Sequence, residues 1–429
     1  MKKYMSIGKS AWWLLLSIVS AGSMAYYTTQ IWSANQPPHF NDLYAPWWGA
    51  HELLLHGRNP YSPEVAHEIQ AVIYGAPTSP STEDPMGMGG GFAYPPYAAL
   101  LLWPTVHLSF SAAERTFWVV SALLTLFSLT LWLRTLHFTL PPAQWLTVAL
   151  FTAGSFPVLQ AFQLQNLSLI AAALITIFVF LLSSDRLILA GIVLAASTFK
   201  PQFTVALIPW IALWTLGDWK GRRPVAWSFL ATMLVLDLTS EWMVSRWAVS
   251  FLGVVRAYRH YTYGHSVLDV WFTPAWGAII AGAMLLAGLV FGRKYRLERA
   301  DSMNFIIVTS IVLAATLVVI PTLAPHAQLL LLPGILCLVQ RRSQLASSPT
   351  LLRLAQAAVW TLLGWPSFAA VALLLAATVL PPQRLLQFWE FPLYTSPVLP
   401  LAVLLGLGCL LLTTSLVDAE KFRSSRFTP

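Results

Sequence analysis

Apolar runs of membrane-crossing character recur along this chain from Ala11 to Leu416, and that recurrence limits the fold more than any other feature. A segment in hydrocarbon must satisfy its own backbone N–H and C=O groups, which a helix does internally. The expected fold class is therefore all-α and integral to the membrane, with many crossings. Composition agrees: 57% of the 429 residues are hydrophobic and 10% are charged, against about 25% charged in an average soluble domain. A soluble protein is excluded. The stretch Ala11–Trp32 is too long for a signal-peptide core and is expected to remain as the first helix.

Topology follows from the placement of positive charge, because Lys and Arg concentrate in cytoplasmic loops. Crossings are expected near Ala11–Trp32, Phe117–Leu133, Trp145–Leu159, Leu167–Leu182, Leu187–Phe199, Phe203–Leu216, Val225–Leu238, Trp276–Phe291, Phe305–Ile320, Leu329–Val339, Ala355–Leu380 and Val398–Leu416. With these twelve and both termini inside, 18 of the 25 basic residues are cytoplasmic. Counting Pro96–Leu108 as a further crossing leaves only 9 inside, so that piece reads as juxtamembrane or re-entrant. One domain over 1–429 is expected, with a first extracytoplasmic loop over 33–116, central helices over 117–340, and C-terminal helices and tail over 341–429. Within that loop Pro46–Leu55 reads as an interfacial helix and Pro77–Gly91 as a mobile loop.

The net charge of +8 sits in short clusters between apolar runs, which fits anionic lipid headgroups and argues against a nucleic-acid partner. Cys337 and Cys409 lie inside apolar runs as packing residues, so disulfides and structural zinc are not expected. No cofactor is called for. A divalent metal is compatible with the chain, but no residue set demands one. Seven basic residues fall outside against the bias, among them Arg58, Lys200, Arg256 and Arg259. A phosphate at the outer surface would account for them.

Several short blocks follow one another along the chain: Asn41-Asp42-Leu43-Tyr44, Gly57-Arg58-Asn59-Pro60-Tyr61, Tyr94-Pro95-Pro96, Gln165-Asn166 before an apolar helix, Ala190-Gly191 leading to Lys200-Pro201-Gln202-Phe203, and Pro325-His326. In that set the chain resembles glycosyltransferase family 87, polytopic enzymes of the GT-C class that use polyprenyl-phosphate sugars and include phosphatidylinositol mannoside mannosyltransferases. Leu164 and Leu43 depart from the pattern, standing where a glycine and an aromatic residue are usual.

The resemblance implies a GT-C-like bundle of about twelve helices in the bacterial cytoplasmic membrane. It also implies an inverting hexosyltransferase, using a polyprenyl-phosphate-linked sugar donor, with mannose foremost, and a glycolipid or glycan acceptor. Its implied catalytic base is Asp42, whose ordinary alternative is a solvated carboxylate or helix cap. Donor phosphate would meet Lys200, Arg58, Arg259 and His260; snorkelling and headgroup contact compete for these. Gln165, Asn166, Gln202, His326, Asn59 and Tyr61 are candidates for sugar or acceptor binding, and several could equally serve as helix caps. Tyr94-Pro95-Pro96 reads as architectural. The absence of a DxD pair, a Walker loop and a glycine-rich nucleotide fingerprint argues against a nucleotide-sugar transferase or an ATPase. A transporter or lipid flippase is the alternative from another class, and a ligase or polymerase of lipid-linked glycans is a second enzymatic one.

Overall fold

The computed structural model describes residues 2–35, 41–77, 84, 87, 89–261, 266–320, 325–346, 349–395 and 398–426, and every regular element among them is helical. The chain opens with α1 (Lys2–Asn35), whose 34 residues measure about 50 Å at 1.5 Å per residue. A helical hairpin follows. α2 (Tyr44–His56) stops where Gly57 takes a left-handed φ of 65°, a turn that a side chain would strain. α3 (Pro63–Tyr74) starts at Ser62, whose hydroxyl accepts from the Val65 N–H, with Pro63 at the first helical position.

The segment Pro96–Leu108 contains only α4 (Ala98–Val106), nine residues or about 13 Å, which is too short to cross a bilayer. It packs under α2, where Trp47 Nε1 donates to the Thr105 carbonyl at 3.1 Å. Much of the mobile loop expected over Pro77–Gly91 lies outside the described residues, and those described within it form no helix. Gln70 Nε2 donates to the carbonyls of Gly87 (2.6 Å) and Gly89 (2.7 Å), and Asp84 accepts from the Gly89 N–H, so α3 holds this end of the segment.

Next come α5 (Phe110–Thr135), α6 (Pro142–Ala153), α7 (Phe156–Leu164), α8 (Ser168–Ser183), α9 (Leu187–Ser197), α10 (Pro201–Thr204), α11 (Leu207–Gly217) and α12 (Trp219–Met243). The single crossing expected over Trp145–Leu159 is instead two arms, α6 and α7, bent by 54°. Gly154 and Ser155 interrupt the helix there, and Pro157 has no N–H with which to continue it. α9 and α12 approach closely because residue 191 is glycine: a Cβ there would lie 2.0 Å from Ser228 Oγ and 2.4 Å from the Val225 carbonyl oxygen.

The second half runs through α13 (Trp247–Tyr261), α14 (Val267–Trp271), α15 (Pro274–Tyr295) and α16 (Met303–Val319). A 3-10 turn over Pro325–Leu331 leads into α17 (Leu332–Gln340), followed by α18 (Arg342–Ala346), α19 (Thr350–Ala376), α20 (Pro382–Thr395) and α21 (Val398–Arg426).

Among the described residues α5, α15 and α19 are each long and apolar enough to cross a membrane, and the bent pair α6–α7 makes a fourth if taken as one span. Most of the other expected crossings coincide with apolar helices of 10–17 residues, including α8, α10–α11 and α16. Large apolar side chains face outward on the long helices, such as Leu123, Leu234, Val290 and Leu375. In water these would form an unsustainable apolar patch; facing lipid they need no cover. Among the described residues the chain is all-helical, and its apolar spans fit a membrane bundle.

Arg222 does more than add positive charge between crossings. Its buried guanidinium donates to the carbonyls of Trp214 (2.7 Å), Arg296 (2.6 Å), Leu297 (3.3 Å) and Glu298 (2.8 Å) and lies 4.0 Å from the Trp214 ring centroid. These carbonyls come from the last turn of α11 and the turn after α15, where helix geometry leaves acceptors unpaired.

Candidate active site

Asp42 sits in the two-residue turn that precedes α2, and two contacts fix it to the junction between α7 and α8 rather than to its own helix. Its backbone N–H donates to the Leu164 carbonyl at 2.8 Å, and its Oδ2 accepts from Asn166 Nδ2 at 2.6 Å. Asn166 lies just past the end of α7. There Gln165 adopts φ 51°, a left-handed conformation that ends the helix and turns the next residue inward.

The other end of the same amide meets Lys200. Asn166 Oδ1 accepts from Lys200 Nζ at 2.5 Å, from the Ser168 N–H at 2.9 Å and from Ser168 Oγ at 2.5 Å. Lys200 Nζ also donates to Ser168 Oγ at 2.6 Å. These partners fix the amide's orientation, since a flipped Asn166 would turn its NH2 toward the ammonium and its carbonyl oxygen toward the carboxylate. One asparagine thus links a carboxylate and an amine more than 150 positions apart in the sequence.

Lys200 belongs to the turn between α9 and α10, ahead of Pro201, and its side chain is only 4% exposed. Burial pushes its ammonium down to about 7, against the pull of the Asp42 charge. Burial raises the Asp42 carboxyl, opposed by the Asn166 hydrogen bond and by the Lys200 charge. Each group is the other's counter-charge, and each charge opposes the effect of burial on its partner. Although tightly surrounded, Asp42 keeps an accessible edge. Among the described residues no hydrogen bond reaches its Oδ1, nor the third proton of Lys200.

Beside this pair lies a second polar knot. Asn41 Nδ2 donates to Gln165 Oε1 at 2.7 Å and to Glu114 Oε1 at 3.2 Å, while Gln165 Nε2 donates to the same Glu114 oxygen at 2.6 Å. Glu114 stands in the first turns of α5, where the helix dipole favours a carboxylate. Gln165 and Asn166 therefore divide their work between two carboxylates.

The aromatic segment before α4 supports the Lys200 turn from below. Tyr94 stacks on Phe199 at a centroid distance of 6.4 Å, and the Tyr97 hydroxyl bonds the Thr198 carbonyl (3.1 Å) and Oγ1 (2.9 Å). Tyr61, buried, donates its hydroxyl to the Tyr94 carbonyl at 2.5 Å, and Asn59 Oδ1 accepts the Tyr61 N–H at 3.0 Å. Asn59 and Tyr61 thus brace the scaffold and make no direct hydrogen bond to Asp42 or Lys200.

The remaining candidates divide. His326, in the 3-10 turn after α16, feels the Lys200 charge and so belongs to the neighbourhood. Gln202 is half-buried, two residues past Lys200, without a hydrogen bond to the cluster. Arg58 does not join it: its guanidinium is taken by Glu52 and Glu68. Arg259 and His260 lie on α13, and their side chains fall outside the described residues. Sequence reasoning missed Glu114 and Ser168. A carboxylate placed just inside an apolar helix was the available signal for the first, and a hydroxyl two residues past Asn166 for the second.

Residues 92–321, more than half of the chain, match the family model described as glycosyltransferase family 87. The chain belongs to glycosyltransferase family 87. Comparison with curated proteins and with solved structures gives no match. The family-87 match takes in Glu114, Gln165, Asn166, Ser168 and Lys200; Asp42, Arg58 and His326 lie beyond its ends. Contacts in space therefore tie Asp42 to the matched region: the Leu164 carbonyl and the Asn166 amide. As a member of family 87 the chain is a glycosyltransferase, acting on a sugar donor and an acceptor.

Proposed function

We propose that this family-87 enzyme transfers a hexose, mannose foremost, from a polyprenyl-phosphate donor to a glycolipid or glycan hydroxyl, with inversion. Its site opens on the extracytoplasmic side of the bacterial cytoplasmic membrane, within a bundle of about twelve crossings. The Asp42–Asn166–Lys200 bridge is the observation that carries the reading. Asp42 Oδ1 accepts the proton of the acceptor hydroxyl as its oxygen attacks the anomeric carbon. The bond from that carbon to the phosphate oxygen breaks, its electron pair leaves with polyprenyl phosphate, and the Lys200 ammonium stabilises the added charge.

Asn166 gives the arrangement its geometry, because it restrains base and cation through one rigid amide. His326 adds a second polar group on the phosphate side. Burial disfavours the charged form of each group, and each charge opposes that effect on the other. An incoming anionic donor phosphate favours the ammonium form of Lys200, the form that stabilises the leaving group.

A transfer assay tests the reading. Purified protein in detergent, given labelled polyprenyl-phosphate hexose and a lipid acceptor, should transfer sugar without any membrane gradient. Asp42→Asn should stay folded and lose at least about 100-fold in rate. Undiminished turnover by Asp42→Asn would remove it from the mechanism, and strict dependence on a gradient would favour a transporter.

A further inference from the structure

Beyond Asp42 and Lys200, the last turns of α2 gather three side chains whose ligand atoms converge. His51, Glu52 and His56 each contribute one atom to a group whose members all lie within 4.8 Å of one another. Glu52 Oε1 is 3.1 Å from His51 Nδ1 and 3.3 Å from His56 Nδ1. An ion bound tetrahedrally at about 2.0–2.1 Å holds its ligand atoms roughly 3.3 Å apart. Two edges of that polyhedron are already present. The i,i+4 spacing of Glu52 and His56 supplies one, and His51 leans in from the adjoining position.

Both imidazoles can donate to the one oxygen only if each carries its proton on Nδ1. A cation can take the same three atoms instead, with neutral imidazoles binding through their Nδ1 lone pairs.

The surroundings hold the ligands in place. Arg58 Nη1 donates to the other Glu52 oxygen at 2.7 Å and is itself gripped by Glu68, through bonds of 2.8 and 3.2 Å. His51 stacks on Trp48 at 5.1 Å between centroids and 6° between planes, and Trp48 Nε1 donates to Glu68 at 2.9 Å. Such outer partners fix the aim of a ligating carboxylate and ring. Two carboxylates against one guanidinium, with neutral imidazoles, leave one net negative charge for a dication. Glu52 is buried and His56 is half-exposed, so the remaining coordination position faces solvent.

We propose that His51, Glu52 and His56 form a binding site for a divalent first-row transition metal of the zinc type. Two imidazoles and one carboxylate suit such ions, whereas calcium and magnesium seek oxygen ligands throughout. The site lies on the helix that begins two residues after Asp42, roughly 10 Å along it. A metal there secures the end of α2 and, through Arg58 and Glu68, the α2–α3 hairpin.

The test uses the full-length chain without a histidine tag, purified in detergent and stripped with a chelator. Zinc is titrated against a chromogenic competitor, cobalt is followed by its visible absorption, and melting is measured with and without zinc. Wild type should take up one equivalent, give the absorption of a tetrahedral cobalt site and melt higher with zinc. His56→Gln, at an exposed position, should keep its helical circular dichroism and lose all three responses. Arg58→Gln should retain binding with about 10–100-fold lower affinity. Failure of wild type to take up a stoichiometric ion, or equal uptake and an unchanged cobalt spectrum in His56→Gln, would overturn the proposal.

Discussion

The proposed chemistry makes Lys200 the residue whose charge should set the alkaline side of the pH profile. A polyprenyl-phosphate sugar is a phosphodiester with a constant single charge near neutrality, so any alkaline limb in kcat/KM for the donor belongs to the protein. Buried in the turn between α9 and α10, Lys200 titrates at about 7. Above that value each pH unit removes about tenfold of the ammonium form, equivalent to about 1.4 kcal/mol of donor stabilisation. From pH 7 to pH 9 the charged fraction falls from about half to about 1%, so kcat/KM should drop roughly 50-fold. The limb reports Asp42 and Lys200 as a pair, because each depends on the other's charge. Lys200→Met should start about 100- to 1000-fold lower, the usual cost of losing one charge-stabilising donor, and show no limb. Lys200→Arg stays ionised throughout and should also be flat above neutral, at reduced activity, since a planar fork replaces a compact ammonium between Asn166 and Ser168. Rates measured in detergent across pH 6 to pH 9 decide the matter. A flat wild-type profile from pH 7 to pH 9, or the same limb in Lys200→Met, would refute the role given to this lysine.

Asn166→Leu keeps the size of the bridge and deletes both its hydrogen bonds. The expected result is about a 100-fold loss in kcat/KM with an intact fold, checked by transfer kinetics and circular dichroism. Arg222→Met strands four carbonyls near the ends of α11 and α15; at about 1 kcal/mol each it should cost about 2–4 kcal/mol, read as a lower melting temperature. Transfer at low temperature should persist, because Arg222 is remote from Asp42. Gly191→Leu drives a side chain into the α9–α12 contact, where even a Cβ has no room, and should lower the yield of folded protein in size-exclusion chromatography.

The helices were legible wherever apolar composition alone decides. α5 and α15 contain their expected crossings and α19 all but the last four residues of its own, and the nine-residue α4 agrees with a charge count that left no room for another span. The break between α6 and α7 was not, since apolar content continues through it and only Gly154, Ser155 and Pro157 carry the signal. Arg222 illustrates a different limit. Its place in a basic cluster was evident, but the carbonyls that occupy it come from a turn more than 70 residues later. At the site, the residue types at positions 42, 166 and 200 could be read, while their shared hydrogen bonds depend on how α7 and α9 end. Arg58 is engaged by Glu52 and Glu68, six and ten residues away along the chain, a pairing that the charge count ignored. The spacing of His51, Glu52 and His56 was also visible, but the segment read only as an interfacial helix.

Asp42 is held at two points, its amide by Leu164 and its carboxylate by Asn166, and both anchors belong to the junction that also positions Lys200. On the proposed chemistry, these two bonds restrain the base against moving with the chain that carries it. Lipid and acceptor would then have to enter by movement of other walls, and the reacting groups would stay in register from one turnover to the next. An inhibitor shaped to this fixed pair would meet the same target in the resting and the working enzyme.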